Sequence, residues 1–244
     1  MNFNTKVIHY GVEPEPQTGA IMTPIFQTST YVQPRLGEHK GYEYSRTKNP
    51  TRNVLEKNLA GLENGKYGIS FSSGCAATSA VMHTLKSGDH VICCDDVYGG
   101  TFRLFTKVFS NLGLQFSFVD LTSAEKLSST ITDKTKLVWI ETPTNPLLKL
   151  IDIQKIVALC KPKAISVAVD NTFATPYLQN PLDLDVDLVV HSTTKYIGGH
   201  SDVVGGVIIT KNDQWAEKLY FVQNAVGAVP APFDSFLLLR GVKT

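Results

Sequence analysis

The sequence predicts an α/β layered domain built on a mostly parallel sheet of seven strands. From residue 51 onward, short apolar runs alternate with helix-like segments, and such alternation is the mark of a parallel sheet covered by helices. Several of the runs are apolar on both faces, as central strands of a covered sheet must be. The 244 residues are enough to bury a sizeable core without disulfide or metal staples.

The elements follow in order. Residues 1–52 carry Pro14, Pro16, Pro24, Pro34 and Pro50 with little helical or strand periodicity. They are expected to form an extended arm over a surface, because a loop of that length in a compact domain is functional, disordered or wrapped around a partner. Residues 53–64 have apolar positions at helical spacing, with Gly65 as a stop. The strand-like runs are 67–71, 90–94, 115–119, 137–141, 165–169, 187–191 and 204–210. Between them, 75–86, 101–112, 123–131 and 153–161 read as helices.

Composition removes several classes of function. Lys plus Arg (23) nearly cancel Asp plus Glu (22), so there is no basic footprint for nucleic acid or anionic membrane. Hydrophobic residues make up 43% and charged residues 18%, which excludes a disordered chain. No apolar run reaches transmembrane length. The start, Met1 to Lys6, lacks the apolar stretch of a signal peptide, so the expected address is the cytoplasm. Cys75, Cys93, Cys94 and Cys160 show no C-x-x-C spacing and are expected to be free thiols, with no metal site.

Ligands of open α/β sheets bind beyond the carboxyl ends of the strands. Five of the runs end in small, polar or ionisable residues: Ser72-Ser73-Gly74, Asp95-Asp96-Val97-Tyr98, Glu141-Thr142-Pro143-Thr144-Asn145, Asp170-Asn171-Thr172 and Ser192-Thr193-Thr194-Lys195. Ser72-Ser73-Gly74 opens a helix and is either an ordinary N-cap or, with its free N–H groups, an anion cradle. Ser192 and Thr194 add two hydroxyls suited to a phosphate monoester. Asp170 ends an apolar strand, where a buried carboxylate needs a cation, either a basic side chain or a protonated ring nitrogen. Lys195, set among apolar strands, is expected away from the surface. Cradle, acid and lysine on successive strand ends together describe a site for pyridoxal 5′-phosphate, with lysine as its Schiff-base partner.

The residues carry a resemblance. The stretch from Asp187 to Ser201, with Ser192-Thr193-Thr194-Lys195 at its centre, is similar to the cofactor-attachment signature of the pyridoxal-phosphate enzymes of cysteine and methionine metabolism. Tyr44-Ser45-Arg46, Ser73-Gly74-Cys75-Ala76-Ala77, Asp96-Val97-Tyr98-Gly99-Gly100-Thr101 and Glu141-Thr142-Pro143-Thr144-Asn145-Pro146 agree in the same order. The chain resembles the N-terminal part of a trans-sulfuration enzyme, with wording nearest the cystathionine γ-lyases and then the γ-synthases.

That resemblance implies the large domain of a fold-type-I, PLP-dependent transferase-like enzyme over residues 53–244, with the arm of residues 1–52 against a neighbouring subunit. It implies catalytic roles for Lys195, Tyr98 and Asp170. Lys195 would hold the cofactor and shuttle protons, Asp170 would pair with the ring nitrogen, and Tyr98 would stack on the ring. Asn145 would bind the ring hydroxyl and Thr172 would lie near the ring. The backbone of Gly74 and Cys75, with the Ser192 and Thr194 hydroxyls, would hold the phosphate. Tyr44 and Arg46 would reach the phosphate of the neighbouring subunit, making the catalytic unit a homodimer within a homotetramer; read alone, they are a loop aromatic and a solvated charge.

The implied reaction is γ-elimination of cystathionine to cysteine, 2-oxobutanoate and ammonia. γ-Replacement on an O-acyl-homoserine is the next reading, followed by cystathionine β-lyase and methionine γ-lyase chemistry. The family's smaller C-terminal domain, with the arginine that grips the substrate carboxylate, is expected to lie outside this sequence. A chain without it could instead be a non-catalytic fragment that holds the cofactor or oligomerises.

Overall fold

A computed structural model describes residues 1–244. The sheet has seven strands: β1 (Tyr67–Phe71), β2 (His90–Cys94), β3 (Gln115–Val119), β4 (Thr135–Glu141), β5 (Ser166–Asp170), β6 (Leu188–His191) and β7 (Gly206–Thr210). Their order is β1-β7-β6-β5-β4-β2-β3, with β7 antiparallel to both its neighbours and the other pairs parallel. Every residue of β2 and of β7 is buried, so both faces of the sheet are covered there. Fully enclosed Leu55, Phe71, Phe105 and Trp139 belong to one continuous apolar core. No helix is long and apolar enough to cross a membrane.

The expected alternation is present, with shifted edges. Helix α2 runs Pro50–Leu62 and begins three residues before the expected start. Asn49 caps it through Oδ1, which accepts from the N–H groups of Thr51 and Arg52, and Pro50 takes the first-turn position where a missing N–H costs nothing. Thr51 and Arg52 are consequently buried, which moves the end of the arm to Asn49. The arm is also not wholly extended. Its first residues form α1 (Phe3–His9), capped by the Asn2 side chain, in a stretch too short to display a periodicity.

The segment expected as one helix over 101–112 is composite. Helix α4 (Gly99–Leu104) widens into a π-turn over Phe105–Phe109 and tightens into a 3-10 turn over Ser110–Leu112, where left-handed Gly113 stops it. Helix α3 (Gly74–Met82) ends earlier than expected, because Thr84 and Leu85 donate to the carbonyls of Val81 and Met82, three residues back. Helices α5 (Ala124–Thr130), α6 (Ile153–Cys160), α7 (Thr175–Leu178), α8 (Asp213–Val226) and α9 (Pro232–Gly241) complete the chain.

Between α1 and α2 the backbone forms only isolated bridges, Thr30 with Tyr44 and Arg35 with Glu38. A buried guanidinium orders the end of this segment. Arg52 donates to the carbonyls of Ser45 (2.8 Å), Arg46 (3.1 Å) and Thr47 (2.8 Å), and sits 3.7 Å from the Glu56 carboxylate. The loop carrying Tyr44 and Arg46 is thus fixed from beneath by α2.

Candidate active site

Chain order and strand order diverge at β2 and β4. The chain leaves β2 toward β3 on one side, while β4 lies on the other and leads on to β5. Connections that depart in opposite directions leave a crevice above the carboxyl ends of the strands. A cavity of about 370 Å³ opens there, bounded by residues that follow β1, β2, β4, β5 and β6. It brings together nine of the expected site residues: Gly74, Cys75, Tyr98, Asn145, Asp170, Thr172, Ser192, Thr194 and Lys195.

One side of the cavity is the start of α3. Ser73 caps the helix by accepting from the Ala76 N–H at 3.0 Å, which leaves the N–H groups of Gly74 and Cys75 in the first turn, where a helix has no internal acceptor for them. Gly74 is required by contact: a Cβ there would come within 2.7 Å of the Ser192 Cβ. The helix start therefore lies directly against the turn after β6. The Ser192 hydroxyl makes no hydrogen bond within the chain, whereas the Thr194 hydroxyl is engaged with Gly205, accepting from its N–H at 3.0 Å. Cys75 is the one exposed thiol; Cys93, Cys94 and Cys160 are buried.

The floor carries two carboxyls side by side, because Glu141 on β4 and Asp170 on β5 are paired in register. Asp170 Oδ1 accepts both the Thr172 N–H (3.0 Å) and the Thr172 hydroxyl (2.6 Å), and Oδ2 has no partner. Burial raises the Asp170 carboxyl above the ordinary carboxylate range, while these two hydrogen bonds pull it down. The cationic partner expected for Asp170 is not a Lys or Arg of this chain, for no ion pair reaches it. Thr172 also accepts from the Ser192 N–H at 2.9 Å, so one hydroxyl ties the Asp170 floor to the Ser192 turn.

Glu141 was legible as part of a motif but not as a site residue. Burial first, then the neighbouring Asp170 charge, push its carboxyl up to about 8. Opposing that, Oε2 accepts the Tyr98 N–H at 3.0 Å and Oε1 accepts the Asn145 N–H at 2.8 Å. Ser73, the expected cap of α3, also lines the cavity, and so do Thr78, Thr101, Phe173 and Val204, to which the sequence assigns no role. A residue can enter a cavity by its turn geometry alone, and periodicity does not report that.

Lys195 corrects one expectation: it is exposed. Strand β6 ends at His191, and Lys195 stands four residues on, in a turn closed by its own N–H to the Ser192 carbonyl. It therefore lies at the cavity mouth rather than among the strands, and its Nζ makes no hydrogen bond. Tyr44 and Arg46 do not line the cavity of their own chain. The Arg46 guanidinium lies over the Tyr44 ring at 5.2 Å instead.

The donor set fits pyridoxal 5′-phosphate. A free amine, a carboxyl with an open Oδ2, an aromatic ring and a helix start with an unpartnered hydroxyl beside it converge on one cavity. These features define an α/β unit built to hold a phosphorylated pyridine cofactor. The comparisons agree: the family of Cys/Met metabolism PLP-dependent enzymes matches residues 4–244, and the chain belongs to it. A probable cystathionine gamma-synthase of Herpetosiphon aurantiacus is 57% identical over 99% of this chain and 76% of its own length. A cystathionine beta-lyase of Coxiella burnetii is 52% identical over 100% of the chain and 63% of its own. The structure of a cystathionine gamma-lyase from Lactobacillus plantarum complexed with L-serine superposes with a TM-score of 0.98 at 47% identity, covering 100% of this chain and 64% of that one. Three named activities thus lie at similar distance, and this chain spans less than two thirds of the last two proteins.

Proposed function

We propose that the intact gene product is a pyridoxal-phosphate enzyme of trans-sulfuration that cleaves cystathionine by γ-elimination. The convergence of Lys195, Asp170 and the α3 start on one cavity carries the cofactor part of this reading, and the likeness to the Lactobacillus plantarum cystathionine gamma-lyase supports the γ-elimination. Bound pyridoxal phosphate supplies a pyridinium electron sink for carbanions at the substrate Cα. The open Oδ2 of Asp170 holds the proton on the ring nitrogen and gains the cation that its burial demands. Asn145, whose side-chain amide has no partner in the chain, donates to the ring hydroxyl. Tyr98 covers a ring face. The N–H groups of Gly74 and Cys75 and the Ser192 hydroxyl take the phosphate at the positive end of α3, and Thr194 joins them once its hydroxyl turns from Gly205.

Lys195, free at the mouth, anchors the cofactor and then moves protons between substrate carbons. Its exposure and lack of fixed partners suit a side chain that must swing between positions. The 57% identity to a probable gamma-synthase supports a second reading, γ-replacement on an O-acyl-homoserine. A substrate panel separates them. γ-Elimination predicts 2-oxobutanoate from cystathionine alone. Pyruvate instead identifies β-elimination, and turnover only of an O-acyl-homoserine with cysteine identifies the replacement reaction.

The arm, now residues 1–49, belongs to the same reading, as a unit distinct from the cofactor-binding domain that follows it. Tyr44 and Arg46 sit on a loop fixed by Arg52 yet do not line their own cavity, and the arm exposes Ile21, Val32 and Leu36. An apolar, ordered, outward arm suits a symmetric interface in which Arg46 completes the phosphate site of a second copy. Mixing Arg46→Ala chains with Lys195→Ala chains tests this. Hybrid dimers are expected to regain one working site, with Lys195 from one chain and Arg46 from the other. No recovered activity after confirmed subunit exchange excludes a shared site.

A further inference from the structure

We propose that Glu141 is a positioning residue: its two carboxyl oxygens hold the loop after β2 and the loop after β4 at a fixed separation, so that Tyr98 and Asn145 address one bound ligand. The inference deepens the reading of this cavity as a pyridoxal-phosphate site and rests on it. Glu141 stands at the end of β4, beside the crevice where the two loops part. Oε2 takes the Tyr98 N–H at 3.0 Å and Oε1 takes the Asn145 N–H at 2.8 Å. Neither N–H has another acceptor in the chain. Glu141 itself is buried, with 6% exposure, and no cation pairs with it.

A buried carboxyl next to a second carboxyl is an unfavourable placement. The two N–H donors are what favours it, and each comes from a loop that carries one of the expected cofactor contacts. A second strap runs between the same loops: Asp96 Oδ2 accepts the Leu147 N–H at 2.9 Å and the Thr144 hydroxyl. Asp96 does not line the cavity, whereas Glu141 does. Glu141 therefore couples the separation of the loops to the site itself.

The chemistry explains why a carboxyl is needed. Glutamine offers one acceptor oxygen and an NH2 group, so in its place one of the two backbone N–H groups must face a donor. An N–H left without an acceptor costs on the order of a five- to hundredfold change in an equilibrium constant. Glu141→Gln in the intact gene product is accordingly expected to weaken pyridoxal-phosphate binding to the apoprotein about tenfold or more. Glu141→Asp keeps both acceptors but retreats by one methylene, and should fall between wild type and Glu141→Gln.

The deciding measurement is a cycle of cofactor dissociation constants, read from the visible absorbance of the titrated apoprotein. In a Tyr98→Ala/Asn145→Ala background the loops have no side chain left to aim, and Glu141→Gln should then cost less than about threefold. The same non-additivity is expected for Glu141→Asp, which keeps the test open if the glutamine variant fails to fold. An equal loss in both backgrounds, or full-affinity binding by Glu141→Gln, overturns the positioning role while leaving the cofactor site in place. A wild-type apoprotein that takes up no pyridoxal phosphate overturns both.

Discussion

Replacing Lys195 by alanine is expected to lower turnover by at least about 10³-fold while leaving the apoprotein as stable as before. The first half follows from chemistry. A side chain that only transfers protons contributes about 10²–10⁴-fold, and Lys195 is proposed to anchor the cofactor as well. The second half follows from structure. Lys195 is exposed and its Nζ makes no hydrogen bond or ion pair. Substitutions at such positions change stability by about 0.5 kcal/mol or less. Thermal melting of the apoprotein beside steady-state turnover of the loaded protein reads both halves. A variant retaining a tenth of wild-type turnover would remove Lys195 from the chemistry.

Asp170→Asn is expected to separate catalysis from stability in the same way, for a different reason. The carboxyl lies above its ordinary pKa range because burial penalises its charge. A folded-state pKa raised above the unfolded value makes an acid a liability once pH exceeds the unfolded pKa, about 3.9 for Asp. At neutral pH the neutral amide removes that liability, and its oxygen can still accept from Thr172. The apoprotein should melt at the same temperature or higher. Asparagine cannot hold a cationic ring nitrogen as a carboxylate does, so turnover should fall by about 10²–10³-fold, the usual cost of removing one preorganised electrostatic stabiliser. Near-normal turnover in this variant would take Asp170 out of the mechanism.

The strands were the most legible part of the sequence, since short runs such as His90 to Cys94, apolar at almost every position and alternating with helix-like segments, suit strands covered on both faces. Edges were less legible. Pro50 reads as loop punctuation until Asn49 is seen to cap it, and the π-turn at Phe105–Phe109 has a periodicity too close to that of the helix before it. The site was legible because its polar residues follow strand ends, where an α/β topology gathers them. Nine of them meet at one cavity for that reason. Glu141 escaped because its work is done on backbone N–H groups, which leave no trace in side-chain patterning. Arg52 escaped for the same reason, since its three acceptors are carbonyls of Ser45, Arg46 and Thr47. Lys195 is exposed where the apolar run before it implies enclosure, because that run ends at His191 and the intervening turn carries the residue outward.

Borohydride trapping tests most directly whether this cavity holds pyridoxal phosphate through Lys195. The protein, loaded with pyridoxal phosphate, is reduced with borohydride, digested and mapped by mass spectrometry. A single pyridoxyl label is expected on Lys195, within the peptide that follows His191. A label on any other lysine, or none after confirmed loading, would contradict it.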